Sequence, residues 1–239
     1  MKPLFIGIAL LWATAAAAAG VQLEADVFDV ELDSGVMALR GNVRISDENL
    51  TLRAPRGTAW RSQQKINLQG GVTVKGTWQG KNLDLSAYQL TAFVGDKASF
   101  EALGEVKATF GTLTFESGTF AADQGTFTAR EVKKLIDRAQ GFELSAQKLM
   151  GAWKDGQLST LTAQGDARAE RTEGEAMVLT ARQITYDASK GLLTAQGDAL
   201  ATNGTRTLRA ERVIYDSKAG KVRTSGRSSA TFPDVRNGQ

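Results

Sequence analysis

The side chains that most often carry out chemistry are sparse in this 239-residue chain, because it contains neither histidine nor cysteine. Their absence excludes the usual catalytic triads, zinc sites and thiol chemistry. Paired carboxylates are a remaining route to hydrolysis, as in glycosidases. Four acids cluster near the N-terminus, namely Asp26, Asp29, Glu31 and Asp33. Their spacing is that of a solvated strand and turn, so we interpret them as surface residues and predict no enzyme activity.

One glycine-rich segment resembles a phosphate-binding loop in composition. Residues 76–82, GTWQGKN, contain two glycines and a lysine. The spacing differs from that of a P-loop, and no serine or threonine follows Lys81. The net charge of +3 is mild, and acidic and basic residues are mixed along the chain. Such a balance indicates an ordinary solvated surface. The sequence therefore predicts no cofactor and no nucleic-acid partner.

The dominant pattern is a repeat of about thirty residues. Seven units follow one another, and each contains a small anchor residue. Successive anchors are 29 to 35 residues apart. A period in this range indicates stacked supersecondary units that share one core. The anchors are Ala25, Ala54, Ala87, Ser117, Ala146, Ala181 and Ala210.

Within most units, apolar or small residues alternate with polar ones around a closing glycine such as Gly41 or Gly197. Alternation over eight or more residues predicts a strand with one buried face. A glycine inside a strand marks a bend, and the change of parity after each anchor indicates a second corner. The residues predicted to form an inward-facing ladder are Met37, Leu39, Val43, Ile45, Ile66, Leu68, Val72, Val74, Phe100, Val106, Leu161, Ala163, Leu193, Ala195, Ala199 and Ala201.

Two corners in each unit predict two facing sheets whose strands cross from one sheet to the other. The predicted fold is all-β, an elongated antiparallel β-jellyroll or folded-over sheet of about seven repeat units. A parallel β-helix is the competing fold, but hairpin signals such as Asn203-Gly204 favour antiparallel pairing. The unit after Ser117 lacks its closing glycine, and apolar residues in 130–139 fall at helical spacing. A short helix and an irregular strand both remain open there.

The predicted domain organisation has three parts. Residues 1–19 contain Lys2, an apolar stretch and a run of alanines, which is the pattern of a secretory signal peptide. An uncleaved anchor is the alternative, although the apolar stretch is short for a spanning helix. Residues 20–232 form the β-jellyroll domain, and 233–239 form a disordered tail. Export without disulfide bonds suits a bacterial periplasm.

Two stretches of the chain, 38–60 and 193–232, resemble the LptA/OstA family of periplasmic lipopolysaccharide-transport proteins. The resemblance extends over nearly the whole mature chain and is weakest at 109–140. The related LptC proteins and the N-terminal domain of LptD share the fold. The recurring phrases of the family, G-x-V, L-x-A and an aromatic-Asp turn, occur here at Gly41-Asn42-Val43, Leu52-Arg53-Ala54, Leu208-Arg209-Ala210 and Tyr215-Asp216.

The resemblance implies a lipid-transport function. Family members are β-jellyrolls with an apolar groove that shields lipid acyl chains on a bridge between the inner and outer membranes. The implied ligand is lipopolysaccharide, bound by the ladder residues. The implied partners are an inner-membrane LPS ABC transporter complex, reached through an LptC-like domain, and an outer-membrane LptD-like translocon. End-to-end homo-oligomers are also implied. The alternatives are a structural or adhesive β-repeat protein with a dry core, and an LptC-like docking component.

The ladder changes in size along the chain. Its early units point Ile, Val, Leu and Met inward, whereas its later units point alanines such as Ala195 and Ala199 inward. Small inward residues leave space between two sheets, so we expect the C-terminal half to be the roomier, lipid-holding part. Enlarging either alanine to phenylalanine is then expected to impair lipid loading without unfolding the protein.

Overall fold

The computed structural model describes residues 21–93, 98–154, 157–171, 176–204 and 206–232, and the predicted signal peptide and tail lie outside these ranges. The described residues form fifteen β-strands. None of them belongs to a helix long and apolar enough to cross a membrane. The strands are β1 (Gln22–Glu24), β2 (Val27–Glu31), β3 (Val36–Ser46), β4 (Leu50–Trp60), β5 (Lys65–Trp78), β6 (Lys81–Phe93), β7 (Ser99–Phe110), β8 (Leu113–Ala122), β9 (Thr126–Asp137), β10 (Phe142–Lys154), β11 (Gln157–Arg171), β12 (Val178–Asp187), β13 (Leu192–Asn203), β14 (Arg206–Asp216) and β15 (Lys221–Thr231).

All fifteen described strands belong to one sheet, and from β3 onward each strand pairs with the next along the chain. β1 and β2 both pair with β3, so together they form one broken edge strand. Every pairing within the described residues is antiparallel, which excludes the parallel β-helix. The predicted all-β, folded-over antiparallel architecture is confirmed.

The sheet folds over along a line of β-bulges that crosses its strands. The closing glycines lie on this line with positive φ, +78° at Gly104 and +80° at Gly197. The register between β6 and β7 shifts between Ser86 and Gln89, and a bulge of this kind bends the strand. A Cβ atom at Gly104 would lie 2.9 Å from the Cβ of Tyr88 on the neighbouring strand. The corner therefore needs glycine both for its backbone conformation and for space.

The fold line divides the sheet into two layers, which we call layer A and layer B. Nearly every strand contributes one half to each layer, so the interior is formed by two halves of the same sheet face. Layer A contains 27–31, 36–40, 56–60, 65–69, 89–93, 99–103, 119–122, 126–130, 148–154, 157–164, 183–187, 192–196, 212–216 and 221–225. Layer B contains 22–24, 43–46, 50–54, 72–78, 81–87, 106–110, 113–117, 132–137, 142–146, 167–171, 178–181, 199–203, 206–210 and 228–231.

The segment 130–139, for which the sequence left a helix open, is not helical. Its residues up to Asp137 belong to β9, and a turn follows. Val132 and Leu135 are both buried although they are three positions apart. The register with β10 shifts between these two residues, so a bulge brings both side chains to the inner face. That bulge is the reason for the helical spacing in the sequence.

The unit without a closing glycine keeps the same corner by another arrangement. Gly118 occupies the position after the anchor, where the neighbouring units carry a side chain that covers the closing glycine. Here the side chain of Glu131, on β9, lies where a Cβ of Gly118 would be. Glu131 itself has a φ of +53°. The glycine and the covering side chain have therefore exchanged strands.

Candidate functional site in the space between the layers

The predicted ladder residues line the space between the two layers. All of them are buried except Phe100, which is half-buried. Leu68, Ala163, Ala195 and Ala199 are each 0% exposed. Alternation along each strand, interrupted only at the bulges, is what places these side chains on one face. The inward position of the ladder is therefore as expected, and its role in lipid binding stays a prediction.

A cavity of about 850 Å³ separates the layers in the N-terminal part of the fold. It extends from Val21, beside the edge strand β1, to Phe100 on β7. Its walls are mainly apolar, and polar side chains lie where the strands end in turns. Layer B contributes Ile45, Leu50, Leu52, Val74, Leu83 and Leu85, layer A contributes Ile66, Leu90, Ala92 and Phe100, and the polar lining includes Asp47, Asn49, Arg61, Gln64 and Gln79.

A cluster of seven aromatic rings, which we call the aromatic partition, fills the middle of the fold. Its rings come from both layers and span β5 to β10. Across the layers, the ring centroids of Trp78 lie 5.3 Å from Phe100 and 5.6 Å from Trp153. Phe110 and Trp153 are 5.1 Å apart. The members are Trp78, Phe100, Phe110, Phe115, Phe120, Phe127 and Trp153.

The aromatic partition also closes the mouth, by which we mean the opening between the two layers on the side opposite the fold line, where the strands end. Trp78 ends β5 in layer B, and Trp153 lies next to the end of β10 in layer A. Beside them, Nε2 of Gln79 donates a hydrogen bond of 2.7 Å to the backbone oxygen of Gln124. This bond joins the β5–β6 turn to the β8–β9 turn. The mouth is therefore bridged at this point.

The C-terminal part of the space between the layers contains a smaller cavity. This cavity measures about 220 Å³ and has Tyr186, Leu193 and Tyr215 among its lining residues. Two hydrogen bonds cross the mouth there. The guanidinium of Arg171 donates to the phenol oxygen of Tyr215, and the phenol of Tyr186 donates to Oε1 of Gln140, each at 2.8 Å. Burial, with a smaller contribution from the charge of Asp137, raises the pKa of Tyr186 to about 12. The phenol therefore stays protonated and keeps donating.

Asp137 supports this second closure. It is 2% exposed, and its carboxylate accepts hydrogen bonds from the backbone N–H groups of Ala139 and Gln140 at 3.0 and 3.3 Å. These bonds hold the turn that carries Gln140. Burial raises the pKa of Asp137, while the two N–H groups partly oppose that shift.

The expectation of a roomier C-terminal half is wrong, because the larger cavity lies in the N-terminal part. The small side chain of Ala195 does not leave open space beside it. Ala195 pairs with Ile184 on one side and Val213 on the other, and all three are 0% exposed. Larger side chains of the adjacent strands therefore occupy the volume beside the alanine. Phenylalanine at Ala195 or Ala199 is therefore no longer expected to leave the protein folded and stable.

The acidic cluster near the N-terminus lies on the outside of the edge strand. Asp26 accepts a hydrogen bond of 3.0 Å from Asn42, and Asp29 lies 3.8 Å from Arg40. Glu31 accepts a hydrogen bond from Ser34. Within the described ranges, no three acidic side chains come together in a way that would hold a metal ion. These contacts agree with the interpretation of the acids as surface residues.

The aromatic partition is the feature of the interior that the sequence reading missed. Its members are dispersed over 78–153, and only the folded sheet brings them together. A signal was nevertheless present, because seven of the ten phenylalanines lie between Trp78 and Trp153. Grouping of one residue class in the central units would have pointed to a local change in the interior.

Comparison with known proteins gives one family. A family model described as "LptA/(LptD N-terminal domain) LPS transport protein" matches residues 22–221. No curated protein matches the chain. Among solved structures, the chain is similar to the crystal structure of LptH, the LptA homologous periplasmic component of the lipopolysaccharide transport device of Pseudomonas aeruginosa. The identity is 10%, the match covers 89% of this chain and 94% of that one, and the TM-score is 0.31. Because this TM-score is low, we draw no conclusion from the similarity, and the fold is established by the strand pairing.

Proposed function

The chain belongs to the LptA/(LptD N-terminal domain) family of LPS transport proteins, and on this basis we propose that it carries lipopolysaccharide through the periplasm with the acyl chains shielded between its layers. The observation that carries this proposal is the cavity of about 850 Å³, which has apolar walls in both layers and polar residues at its rim. The family is one of transport proteins, so the proposal includes no catalytic step.

The physical argument rests on the transfer of hydrocarbon out of water. Each buried methylene contributes about 0.8 kcal/mol. The walls of the cavity offer an apolar environment to an acyl chain, and the polar residues of its rim, such as Arg61 and Gln64, suit the hydrophilic part of an amphiphile. The volume falls within the range of about 300–1,000 Å³ that is common for small-molecule sites. The cavity therefore suits part of a lipid whose headgroup stays in water.

The two edges of the sheet support a bridge made of several copies. β15 runs from layer A to layer B, and the edge strand formed by β1 and β2 runs from layer B to layer A. A second copy that adds its β1–β2 edge to β15 therefore continues both layers in the antiparallel sense. Strand addition of this kind satisfies the open backbone groups of an edge.

The charges of the two edges are complementary. β15 is exposed along its whole length and carries Lys221, Arg223 and Arg227 with no acidic residue. Residues 22–31 carry four acids and no basic residue. If the register of β3 with β4 is continued to the next copy, Arg223 stands opposite Asp29 and Lys221 opposite Glu31.

The same edges are our candidate contacts for the other partners. We assign one end to an LptC-like domain of the inner-membrane LPS ABC transporter complex and the other to an LptD-like translocon in the outer membrane. The energy for transport then comes from the partner transporter. Export by a cleavable signal peptide at 1–19 delivers the domain of 20–232 to the periplasm. This organisation, and the LptA role over the LptC role, are part of the proposal.

Depletion of the protein from its host cell tests the function. Newly made lipopolysaccharide is pulse-labelled, and the inner and outer membranes are separated by density. A transport protein predicts that the label accumulates in the inner membrane and that re-expression returns it to the outer membrane. A normal distribution of label in depleted cells would instead favour a structural repeat protein with a dry core.

A further inference from the structure

The N-terminal cavity has two different ends. Its outer end lies at Val21, beside the edge strand of the sheet. Its inner end lies at Trp78 and Phe100, which line the cavity and also belong to the aromatic partition. The N-terminal cavity is therefore bounded at its inner end by aromatic rings.

The aromatic partition is more than one ring deep at this end of the cavity. Behind Trp78 and Phe100 stand Phe110 and Trp153, whose ring centroids lie 5.7 and 5.6 Å from that of Trp78. Trp153 is 7% exposed and Phe110 is 4% exposed. Beyond them the interior is filled by buried side chains such as Leu149, at 0% exposure. The N-terminal cavity and the smaller C-terminal one have no lining residue in common.

One polar atom in this wall has no partner. The indole N–H of Trp153 is buried and makes no hydrogen bond within the described residues. An unsatisfied donor of this kind has a desolvation cost that a purely apolar residue would avoid. Tryptophan nevertheless occupies the position, where its ring contacts Trp78, Phe110 and Phe127. The large ring thus fills the end of the space while its N–H group stays without a partner.

We propose that Trp78 and Phe100 form an end-stop that sets the length of acyl chain enclosed by the N-terminal cavity. This inference rests on the proposed lipid-carrying function and adds a specificity-determining element to it. The ligand class is a single saturated acyl chain with a polar headgroup. The chain lies between the layers, its headgroup stays at the polar rim, and its methyl end meets the two rings.

An end-stop has a quantitative signature. While a chain grows inside the cavity, each added methylene increases the affinity by about fourfold, the factor that corresponds to its transfer free energy. Once the methyl end contacts the rings, further methylenes remain in water and the affinity stops rising. The plot of log affinity against chain length therefore has a break, and removal of an end-stop ring moves the break to longer chains.

The experiment uses the purified protein and saturated fatty acids of about eight to about eighteen carbons, a series in which each additional buried methylene contributes the same transfer free energy. They compete with a dansyl-labelled fatty acid below their critical micelle concentrations. Phe100→Ala and Trp78→Ala are expected to move the break by two carbons or more. The control is Tyr88→Ala, an aromatic residue on the outer face that is 60% exposed, and it is expected to leave the break unchanged.

Each result has a defined meaning. A break that moves in both variants and stays in the control supports the end-stop. Affinity that rises without a break, or a break at the same length in all proteins, overturns the end-stop and leaves lipid binding intact. Failure of every fatty acid to displace the probe, or of the probe to bind, contradicts the proposed function as well. If an alanine variant loses its folded circular dichroism spectrum, Phe100→Leu and Trp78→Phe take its place, with a smaller shift of the break expected.

Discussion

Substitution of an alanine by phenylalanine at two positions distinguishes the open part of the interior from its packed part. Ala92 is half-buried and lines the N-terminal cavity, whereas Ala199 is 0% exposed. Ala92→Phe places a ring in existing space. Ala199→Phe forces the same ring into a filled core. We expect the first variant to bind lipid more weakly and keep its stability, and the second to lose stability.

The magnitudes follow from the two environments. Overpacking a core costs about 1–3 kcal/mol. For a chain of this size each kcal/mol lowers the melting temperature by about 2–4 °C, so Ala199→Phe is expected to lower it by roughly 2–12 °C. At Ala92, a ring that displaces two methylenes of a bound chain removes about 1.6 kcal/mol of binding free energy. That loss corresponds to more than about a tenfold decrease in affinity.

Both variants are assayed by thermal unfolding, followed by circular dichroism, and by titration with the dansyl-labelled fatty acid. Ala92→Phe is expected to melt within a few degrees of the parent protein, because the ring fills a void of about 850 Å³. The reasoning fails if Ala92→Phe binds the probe as tightly as the parent, or if Ala199→Phe melts at the parent temperature. Either result would place the open space elsewhere.

Three further predictions concern the corner, the buried carboxylate and the edges. Gly104→Ala is expected to destabilise the fold more than Gly71→Ala in denaturant titrations, because both have positive φ but only the former Cβ meets a neighbour within 4 Å. Burial raises the pKa of Asp137 in the folded state, so the free energy of unfolding is expected to fall as the pH rises from the ordinary pKa of 3.8 to the raised pKa of the folded state. Asp137→Asn should flatten this dependence in thermal melts recorded across that pH range. Arg223→Glu is expected to weaken self-association by about threefold to tenfold in analytical ultracentrifugation, and addition of Asp29→Arg should restore it. Equal losses of stability in the two glycine variants would contradict the argument about the corner. The argument about the buried carboxylate fails if Asp137→Asn keeps the pH dependence of the parent protein, and the argument about the edges fails if Asp29→Arg does not restore self-association.

The alternation of apolar and polar residues was sufficient to predict which side chains face inward. Leu39 and Val43, on either side of Gly41, are each 1% exposed, as the pattern required. The pattern has this power because side-chain direction in a strand is a local property with a period of two. The corners were also predictable, since a positive φ favours glycine and leaves a visible mark in the sequence.

The volume of the interior was not predictable from the same pattern. Whether Ala195 leaves a void depends on Ile184 and Val213, which reach its sides only through the pairing of neighbouring strands. The aromatic partition is likewise a non-local feature, because Trp78 and Trp153 are 75 positions apart in the sequence and 5.6 Å apart between ring centroids. Size along one strand is therefore a poor guide to open space between two layers.

The most direct test of a lipid-holding interior is photocrosslinking in the host cell. A photoreactive amino acid is placed at Leu52, which lines the N-terminal cavity, or at its neighbour Arg53, which is exposed. We predict lipopolysaccharide adducts at Leu52 and none at Arg53. Absence of adducts at Leu52 in folded, exported protein, or equal adducts at both positions, would contradict the account.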